Sequence, residues 1–156
     1  DKLKGVHLDY IRYPGTAYKY QGATKNITKL VERIRSSLSK DVLLSAAVMP
    51  EMSANAYYYG QDYARLSEPL DMIIPMAYKG NYNEDSSWIG KVTKYIKKTV
   101  DEDCLIWTGL QTYHSDSDPR PLEAGELNFD VKTALDSGAD GVALFKFGLL
   151  DSEWSF

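Results

Sequence analysis

Gly-Val-His-Leu-Asp-Tyr-Ile-Arg-Tyr-Pro, residues 5–14, reads as a strand that ends in acidic, aromatic and basic side chains. Alternation along a strand places His7 and Asp9 on one face, and Val6, Leu8 and Tyr10 on the other. The apolar face is typical of a strand covered by helices. A buried, ionised carboxylate is costly unless other groups compensate it. Asp9 therefore indicates a polar site at the carboxyl end of this strand, where α/β folds place their chemistry.

The remainder of the chain alternates between strand-like and helix-like patterns. Apolar runs predict strands over residues 4–10, 42–49, 71–77, 104–112 and 140–147. Apolar residues at helical spacing predict helices over residues 24–38, 57–67, 86–100 and 122–137. Thr24 or Asn26 is the predicted cap of the first helix, Asp85 or Ser86 that of the third, and Gly138 follows the last. Repeated strand–helix units of this kind predict a parallel sheet with right-handed crossovers.

Loop lengths indicate which end of the sheet carries the functional groups. The loops that follow strands are long and cover residues 11–23, 50–56, 78–85 and 113–121, whereas the loops that follow helices are short. This asymmetry places the working face at the carboxyl ends of the strands. With 156 residues and no linker or low-complexity segment, we expect residues 1–156 to form a single domain.

Composition excludes several classes of function. A net charge of −4 argues against an electrostatic nucleic-acid binder, and no apolar run approaches the roughly 20 residues that a membrane span requires. The chain has no metal-binding motif, no Cys/His cluster and no Gly-rich phosphate loop, so we expect no metal and no cofactor. Its only cysteine, Cys104, is predicted to be a buried structural thiol. Twelve tyrosines and three tryptophans suit either sugar stacking or a partner surface.

Four segments together carry a resemblance to a known fold family. Residues 5–14 resemble the fourth-strand motif of glycoside-hydrolase-like (β/α)8 barrels, which are related at a distance to family 18 chitinases and to alpha-amylase-like barrels. The segment 70–78, which ends in Pro-Met-Ala-Tyr, is similar to their sixth strand. Residues 109–111 resemble the seventh strand and residues 138–145 the eighth. The resemblance implies an α/β fold of the TIM-barrel type, with strands four to eight only, as the C-terminal part of a barrel. A free-standing five-stranded sheet is the structural alternative.

The resemblance implies a glycosidase that uses two carboxylates on a polysaccharide or cell-wall glycan. Asp9 is the first candidate, and Glu51, just past the second predicted strand, is the second. Glycosidases hold such carboxyl groups about 5–5.5 Å apart when they retain configuration, and roughly 6.5–9.5 Å apart when they invert it. Asp71 lies at the opposite end of its strand, so we expect it to have a structural role. Asp116, Asp118 and Glu123 lie in the long loop after the seventh-strand segment, from which they could reach over the site, although solvated side chains are expected there.

Further polar and aromatic residues are candidates for substrate binding. His7 is expected to contact Asp9 or a sugar hydroxyl, or else to be a satisfied core histidine, and Arg12 is expected to pair with Asp9. Tyr78 and Gln111 end their strands with polar groups. The resemblance assigns Phe145 to the aromatic floor of a sugar site. The candidate stacking rings are Tyr10, Tyr13, Tyr113 and Trp107, of which Trp107 also fits a core position.

One departure from the resembling chitinases leaves a second function open. Their acidic glutamate would fall at Ile11 in this chain, so the substrate-assisted mechanism is not expected. The alternative is a non-catalytic carbohydrate-binding or cell-surface module. On either hypothesis the partner is an oligosaccharide or polysaccharide, and we expect an extracellular or cell-surface location. Open edges of the partial barrel would also allow self-association.

Overall fold

The computed structural model describes residues 4–149, so the predicted domain of residues 1–156 extends beyond the described part at both ends. Residues 4–149 contain seven strands and five α-helices. In chain order they are β1 Gly5–Leu8, α1 Ala23–Ser37, β2 Leu43–Val48, α2 Asn55–Tyr59, α3 Tyr63–Ser67, β3 Met72–Pro75, α4 Ser86–Lys97, β4 Leu105–Gln111, β5 Tyr113–Ser115, β6 Asp118–Pro121, α5 Ala124–Asp136 and β7 Gly141–Phe145. Short 3-10 helices cover Ala17–Lys19 and Met52–Ala54.

Five of the strands form one sheet in the order β1-β2-β3-β4-β7. Every neighbouring pair in this sheet is parallel. Each strand is followed by at least one helix before the next strand of the sheet, as crossover connections between parallel strands require. The predicted α/β class and parallel sheet are confirmed, and the five strands form half of a (β/α) barrel.

The helices cover one face of this sheet and form the hydrophobic core there. Leu44, Ile73 and Ile106, from three adjacent strands, are fully buried on this face. They belong to the same cluster as Val31 of α1 and Ile89 of α4. The apolar stripes of the two helices account for this packing, because residues at helical spacing project from one side.

The opposite face of the sheet, which we call the axial face, is open along much of its length. Leu43, Leu105 and Trp107 project from it and are exposed. Trp107 therefore does not occupy a core position, which was the second possibility that the sequence allowed for it. Its indole lies against Gly141 of β7, where a Cβ atom would be only 2.8 Å from the ring. A larger residue at position 141 would displace this tryptophan.

Asp71 has the structural role that its position at the start of β3 predicts. Its Oδ2 accepts a hydrogen bond from the guanidinium of Arg35 at 3.0 Å and one from the backbone N–H of Leu44 at 2.6 Å. One carboxylate thus joins α1, β2 and β3 at the amino end of the sheet. Cys104 is buried as predicted. Burial raises the pKa of its thiol to about 12, with the nearby Asp101 and Asp71 charges adding to the effect.

Several local predictions were wrong in detail. The helix predicted over residues 57–67 is two short helices, since Gly60 has φ 73° and ends α2. Helix α1 is preceded by Gly22 in the left-handed region, and neither Thr24 nor Asn26 caps it. Asp85 does cap α4, because its side chain accepts hydrogen bonds from the backbone N–H groups of Ser87 and Trp88.

The loop after β4 contains structure that was not expected. Its strands β5 and β6 pair antiparallel as a two-stranded hairpin. Among residues 4–149, no helix has both the length and the hydropathy that crossing a bilayer would need.

Candidate functional site

Two adjacent clefts lie at the carboxyl ends of the parallel strands. The upper cleft has a volume of about 520 Å³ and is lined by Arg12, Met49, Met76, Tyr78, Asn81, Tyr82, Tyr113, Asp116 and Phe145. The axial cleft, of about 340 Å³, continues onto the axial face and is lined by His7, Asp9, Ala47, Ile74, Met76, Tyr78, Gly109, Ala143, Leu144 and Phe145. The two clefts share Met76, Tyr78 and Phe145, so they form one continuous concave surface.

Asp9 lies one residue beyond β1 and lines the axial cleft. Its Oδ1 accepts a hydrogen bond from the backbone N–H of Tyr10 at 2.7 Å. Tyr10 itself has φ 57°, so the chain turns away from the sheet directly after Asp9. This turn places Tyr10 in solvent and not on the helix-covered face that alternation predicted. The carboxylate of Asp9 is thus oriented by the backbone N–H of the next residue and is exposed to the cleft.

His7 lies one step below Asp9 on the same face of β1. Its Nδ1 is 2.9 Å from Oγ of Ser45, which is its register partner on β2. Within the protein, His7 contacts the hydroxyl of Ser45 and not Asp9, and its exposure shows that it is not the core histidine that the sequence also allowed. The imidazole also lines the axial cleft, where it adds a polar group beside the carboxylate.

Arg12 lines the upper cleft, and it does not form the ion pair with Asp9 that we expected. Its guanidinium carbon lies 4.0 Å from the ring centroid of Tyr10 and 5.7 Å from that of Tyr59. Its Nε is buried and has no hydrogen-bond partner among residues 4–149. Stacking on a ring orients a guanidinium and leaves its N–H groups for another acceptor.

Glu51 follows β2, is half-buried and does not line the upper cleft. Its Oε1 accepts a hydrogen bond from the hydroxyl of Tyr82 at 3.0 Å. Burial raises the pKa of Tyr82, and the Glu51 charge raises it further. Burial and the same charge also raise the pKa of Tyr59. Glu51 therefore sits among protonated phenols, one of which lines the cleft.

Tyr78 occupies the centre of the concave surface. Its ring stacks on Phe145 with centroids 5.6 Å apart and an interplanar angle of 13°. Tyr113 packs against the same phenylalanine at 6.4 Å. Burial raises the pKa of Tyr78, and the charges of Asp9 and Asp116 act in the same direction. Its phenol consequently stays protonated, and it is a hydrogen-bond donor between two carboxylates.

The upper wall of this surface joins the loop after β3 to the loop after β4. Asp116 accepts hydrogen bonds from the hydroxyl of Tyr113 at 2.7 Å and from Nδ2 of Asn81 at 3.0 Å. The buried side chain of Gln111 accepts from the backbone N–H groups of Gly80 at 2.8 Å and of Asn81 at 3.3 Å. The amide of Gln111 thus holds a loop in place and lies outside both cleft linings.

Gly80 marks the point where these two loops meet most closely. A Cβ atom at this position would lie 1.6 Å from the carbonyl oxygen of His114. No side chain fits in that space, so the backbone itself requires glycine here. The two loops are therefore in direct backbone contact above the upper cleft.

A buried ion cluster fixes the base of the same loop. The ammonium group of Lys79 is 2.8 Å from Oδ2 of Asp130 and 2.8 Å from Oε1 of Glu126, both on α5. It also donates to Oγ of Ser86 at 3.2 Å. Both carboxylates raise the pKa of Lys79 against the lowering effect of burial. Lys79 therefore joins the loop to α5 and does not face the clefts.

Sequence reasoning identified part of this surface and missed another part. His7, Asp9, Arg12, Tyr78, Tyr113 and Phe145 line the two clefts, as does Asp116, which was expected to be solvated. Tyr13 stacks on Tyr20 outside the clefts, with ring centroids 5.2 Å apart. Asn81 and Tyr82 were not predicted, although both stand in the long loop after β3, whose length marked it as functional.

The chemistry available here is that of carboxylates, phenols and aromatic rings. No group of three or more His, Cys, Asp or Glu side chains among residues 4–149 could hold a metal ion. Planar rings beside carboxylates suit a ligand with apolar faces and hydroxyl edges.

Comparison with solved structures gives the same fold. The chain matches the spore cortex-lytic enzyme SleL of Bacillus cereus at 13% identity and a TM-score of 0.66, with 94% of this chain and 46% of that one covered. It matches a chitinase of Trichuris suis at 20% identity and a TM-score of 0.51, covering 70% and 35% of the two chains. It matches bee venom hyaluronidase at 12% identity and a TM-score of 0.52, with 88% of this chain and 59% of that one covered. The chain thus spans about a third to three fifths of the length of these structures, and the likeness shows the fold.

Comparison at the level of sequence gives the family. No curated protein matches the chain significantly. Residues 3–114 match a family model described as "Putative glycosyl hydrolase domain". The match begins ahead of β1 and ends in the loop after β4, so it contains Asp9, Glu51, Tyr78 and Gln111. The chain therefore belongs to the glycosyl hydrolase domain family DUF4015.

Proposed function

We propose that the protein is a glycoside hydrolase that cleaves a polysaccharide or cell-wall glycan with Asp9 and a second carboxylate. The observation that carries this proposal is the concave surface at the strand ends, where Asp9 and Asp116 flank the stacked Tyr78 and Phe145. A sugar ring stacked on these aromatic residues would present its hydroxyls and its glycosidic oxygen to the flanking carboxylates. Membership of a glycosyl hydrolase domain family supports the same reaction.

The surroundings of Asp9 support its proposed catalytic role. Its carboxylate faces the axial cleft and receives one backbone hydrogen bond, which orients it without covering it. In this proposal it acts as the nucleophile, as the stabiliser of the oxocarbenium-like transition state, or as the acid. Tyr78 lines the same cleft, and in this proposal its protonated phenol donates a hydrogen bond to the substrate. His7, Arg12, Tyr113 and Phe145, which line the clefts, remain the proposed substrate-binding residues. Tyr10, Tyr13 and Gln111 lie outside the cleft linings, so we no longer propose that they contact the substrate.

Glu51 is our proposed second carboxylate, and Asp116 is its competitor. Glu51 reaches the upper cleft through Tyr82, which could relay a proton between the carboxylate and the substrate. Asp116 lines the same cleft directly and is oriented by Tyr113 and Asn81. Asp116 thus lines the cleft directly, whereas Glu51 contacts it only through Tyr82, and single substitutions can distinguish their roles.

The first test is Asp9→Asn in the full-length protein, with glycan hydrolysis measured by the release of reducing ends. The structural neighbours are a spore cortex-lytic enzyme, a chitinase and a hyaluronidase in complex with a hyaluronic acid tetramer, so peptidoglycan, chitin and hyaluronan form the substrate panel. We expect a loss of about 10²–10⁴-fold, the typical contribution of a general acid or base. Glu51→Gln and Asp116→Asn follow, and the larger loss identifies the second carboxylate. Undiminished hydrolysis by Asp9→Asn would exclude this mechanism.

A non-catalytic carbohydrate-binding module is the second candidate, and one observation favours it. Ile11, which stands where the chitinase-type acid would be, packs against the hydrophobic core and supplies no carboxylate. A protein that binds chitin, peptidoglycan or hyaluronan without releasing reducing ends would support this function over hydrolysis.

We also propose the context in which this chain acts. It would be the C-terminal part of a (β/α)8 barrel, with residues 1–156 forming one domain whose open sheet edges permit self-association when the remaining strands are absent. An extracellular or cell-surface location suits an enzyme of polymeric glycans. Detection of the native protein only in the cytosolic fraction would argue against that location.

A further inference from the structure

An aromatic patch outside the two clefts has no role in the chemistry proposed above. Tyr18, Tyr57 and Tyr58, which we call the tyrosine platform, are 50%, 57% and 43% exposed. The rings of Tyr18 and Tyr57 stack with centroids 5.0 Å apart and an interplanar angle of 8°. The ring of Tyr58 stands edge-on to both, at 6.3 Å from Tyr18 and 5.0 Å from Tyr57. Three large rings thus fix one another while they remain open to solvent.

The backbone beneath the tyrosine platform is well anchored. Tyr18 belongs to the short 3-10 helix Ala17–Lys19, whose Ala17 is buried. Tyr57 and Tyr58 belong to α2, whose buried Asn55 donates a hydrogen bond from Nδ2 to the carbonyl of Gln61 at 3.0 Å. Because these rings are already ordered, binding a ligand on them costs the protein little side-chain entropy.

A continuous series of side-chain contacts joins the platform to the upper cleft. Arg12 lines that cleft and lies 5.7 Å from the ring centroid of Tyr59. The ring of Tyr59 is 6.4 Å from that of Tyr58, which in turn contacts Tyr57. The backbone N–H of Tyr13 donates to the carbonyl of Tyr59 at 3.0 Å, and so ties the loop after β1 to α2. A single elongated ligand could therefore contact the cleft and the platform together.

The chemistry of the platform suits a glycan chain. Sugar rings combine an apolar face, which stacks on a phenyl ring, with hydroxyls that can bond to phenol groups. Single-stranded nucleic acids also stack on aromatic residues, but they need a basic groove, and this chain has a net charge of −4. We infer that the tyrosine platform is a distal binding site for a polymeric glycan whose scissile bond lies in the clefts, an inference that rests on the proposed function.

The test compares long and short substrates with the same set of variants. Tyr18→Ala/Tyr57→Ala in the full-length protein removes the stacked pair, and Tyr18→Phe/Tyr57→Phe keeps the rings without their hydroxyls. Phe129→Ala is the matched control, because Phe129 is a 60% exposed aromatic residue on α5. The polymeric substrates are chitin, peptidoglycan and hyaluronan, and the short ones are trisaccharides of the same sugars. A thermal melt confirms that each variant is folded.

We expect the double alanine variant to raise KM for the polymer by about tenfold or more, judged from the scale of aromatic stacking on other ring ligands. Its kcat/KM on the trisaccharide should match that of the wild type, and the double phenylalanine variant should keep most of the polymer affinity. An unchanged KM for the polymer in an active double alanine variant would overturn the inference while the proposed function stands. If wild-type protein releases no reducing ends, retention on the polymer still tests the platform, and equal retention of wild type and variant would overturn it.

Discussion

Carboxylates at the two ends of the sheet have different surroundings. Asp71, at the amino end, accepts hydrogen bonds from Arg35 and from the backbone of Leu44, so its oxygens are committed to the fold. Asp9, at the carboxyl end, accepts one hydrogen bond from its own neighbour and faces a cleft. Residue type alone does not separate the two, whereas their positions along the strand do.

We therefore predict that Asp71→Asn lowers stability without removing activity. The amide keeps the size of the side chain but loses the charge that Arg35 contacts, and hydrogen bonds to charged groups contribute about 1.5–3 kcal/mol. Because Asp71 is partly exposed, we expect a loss of about 1–2 kcal/mol in the free energy of unfolding, measured by urea titration. Asp103→Asn, at an exposed position, is the control. An equal shift in both variants would contradict the structural role of Asp71.

The thiol of Cys104 yields a prediction about pH. Burial raises its pKa from 9.0 to about 12, so the folded protein keeps this thiol protonated at a pH where an unfolded chain loses the proton. The folded pKa is the higher one, so the stability that depends on this group is complete below pH 9 and is lost as the pH rises toward 12.

At pH 9 we expect iodoacetamide to label Cys104 slowly in the native protein and rapidly in urea. Mass spectrometry of the alkylated chain measures both rates. Labelling of the native protein as fast as that of the unfolded chain would show that the thiol is accessible and ionised.

At the scale of elements, the loop after β3 depends on helix α5 for its position. Lys79 is almost fully buried, and it is neutralised by Asp130, which is 1% exposed, and by the more exposed Glu126. Burying an ammonium group is unfavourable unless its partners are present. The loop that carries Asn81 and Tyr82 into the upper cleft is thus held by charges on a helix that lies outside the cleft.

We predict that Asp130→Asn destabilises the protein by about 3 kcal/mol, the lower part of the range for breaking a buried ion pair. Glu126 remains as a partner, which limits the loss. The free energy of unfolding by urea measures the effect. Asp136→Asn removes an exposed pair with Lys132 on the same helix, and it should change stability by about 0.5 kcal/mol or less. A similar loss in both variants would mean that the buried cluster contributes no more than a surface pair.

Most elements could be predicted from the sequence, because apolar periodicity reflects the faces that they bury. The five sheet strands and the helices α1, α4 and α5 all lie where periodicity placed them, within a few residues at each end. The hairpin β5–β6 was missed because Asp-Pro-Arg-Pro, residues 118–121, has neither alternation nor the usual strand residues. The break at Gly60 was missed because the apolar pattern continues across it.

At the scale of the whole molecule, the sheet has one covered face and one open face. Leu43, Leu105 and Trp107 on the axial face are exposed, whereas Leu44, Ile73 and Ile106 on the covered face are fully buried. An apolar surface of this kind favours association. This exposed surface supports the self-association that we propose for the half-barrel.

We predict that a chain of residues 1–156 self-associates through this face. The double variant Leu43→Lys/Leu105→Lys should weaken the association about tenfold or more, because burying one leucine side chain contributes about 1.5–3 kcal/mol. Sedimentation at several concentrations measures the dissociation constant. Leu30→Lys on the outer surface of α1 is the control, because Leu30 is also exposed. A chain that stays monomeric would contradict this prediction, as would a Leu30→Lys control that weakens the association as much as the double variant does.

The site was less predictable than the fold because it is assembled from loops. Asp9 and Tyr78 could be assigned to strand ends from alternation, and both line the axial cleft. The side chains that these residues contact could not be predicted from alternation. Arg12 stacks on Tyr10 where we expected it to pair with Asp9, and Asn81 reaches Asp116 from 35 positions away along the chain. Contacts over such separations depend on where loops fold back, which a local pattern does not contain.

The close approach at Gly80 has a consequence for engineering new specificity into this scaffold. With the carbonyl of His114 where even a methyl group would collide, neither segment can be replaced on its own. A graft that swaps residues 78–85 for a longer piece from another scaffold would push the hairpin outward and open the upper cleft to bulk water. Redesign must exchange the two segments as a matched pair, with glycine kept at position 80.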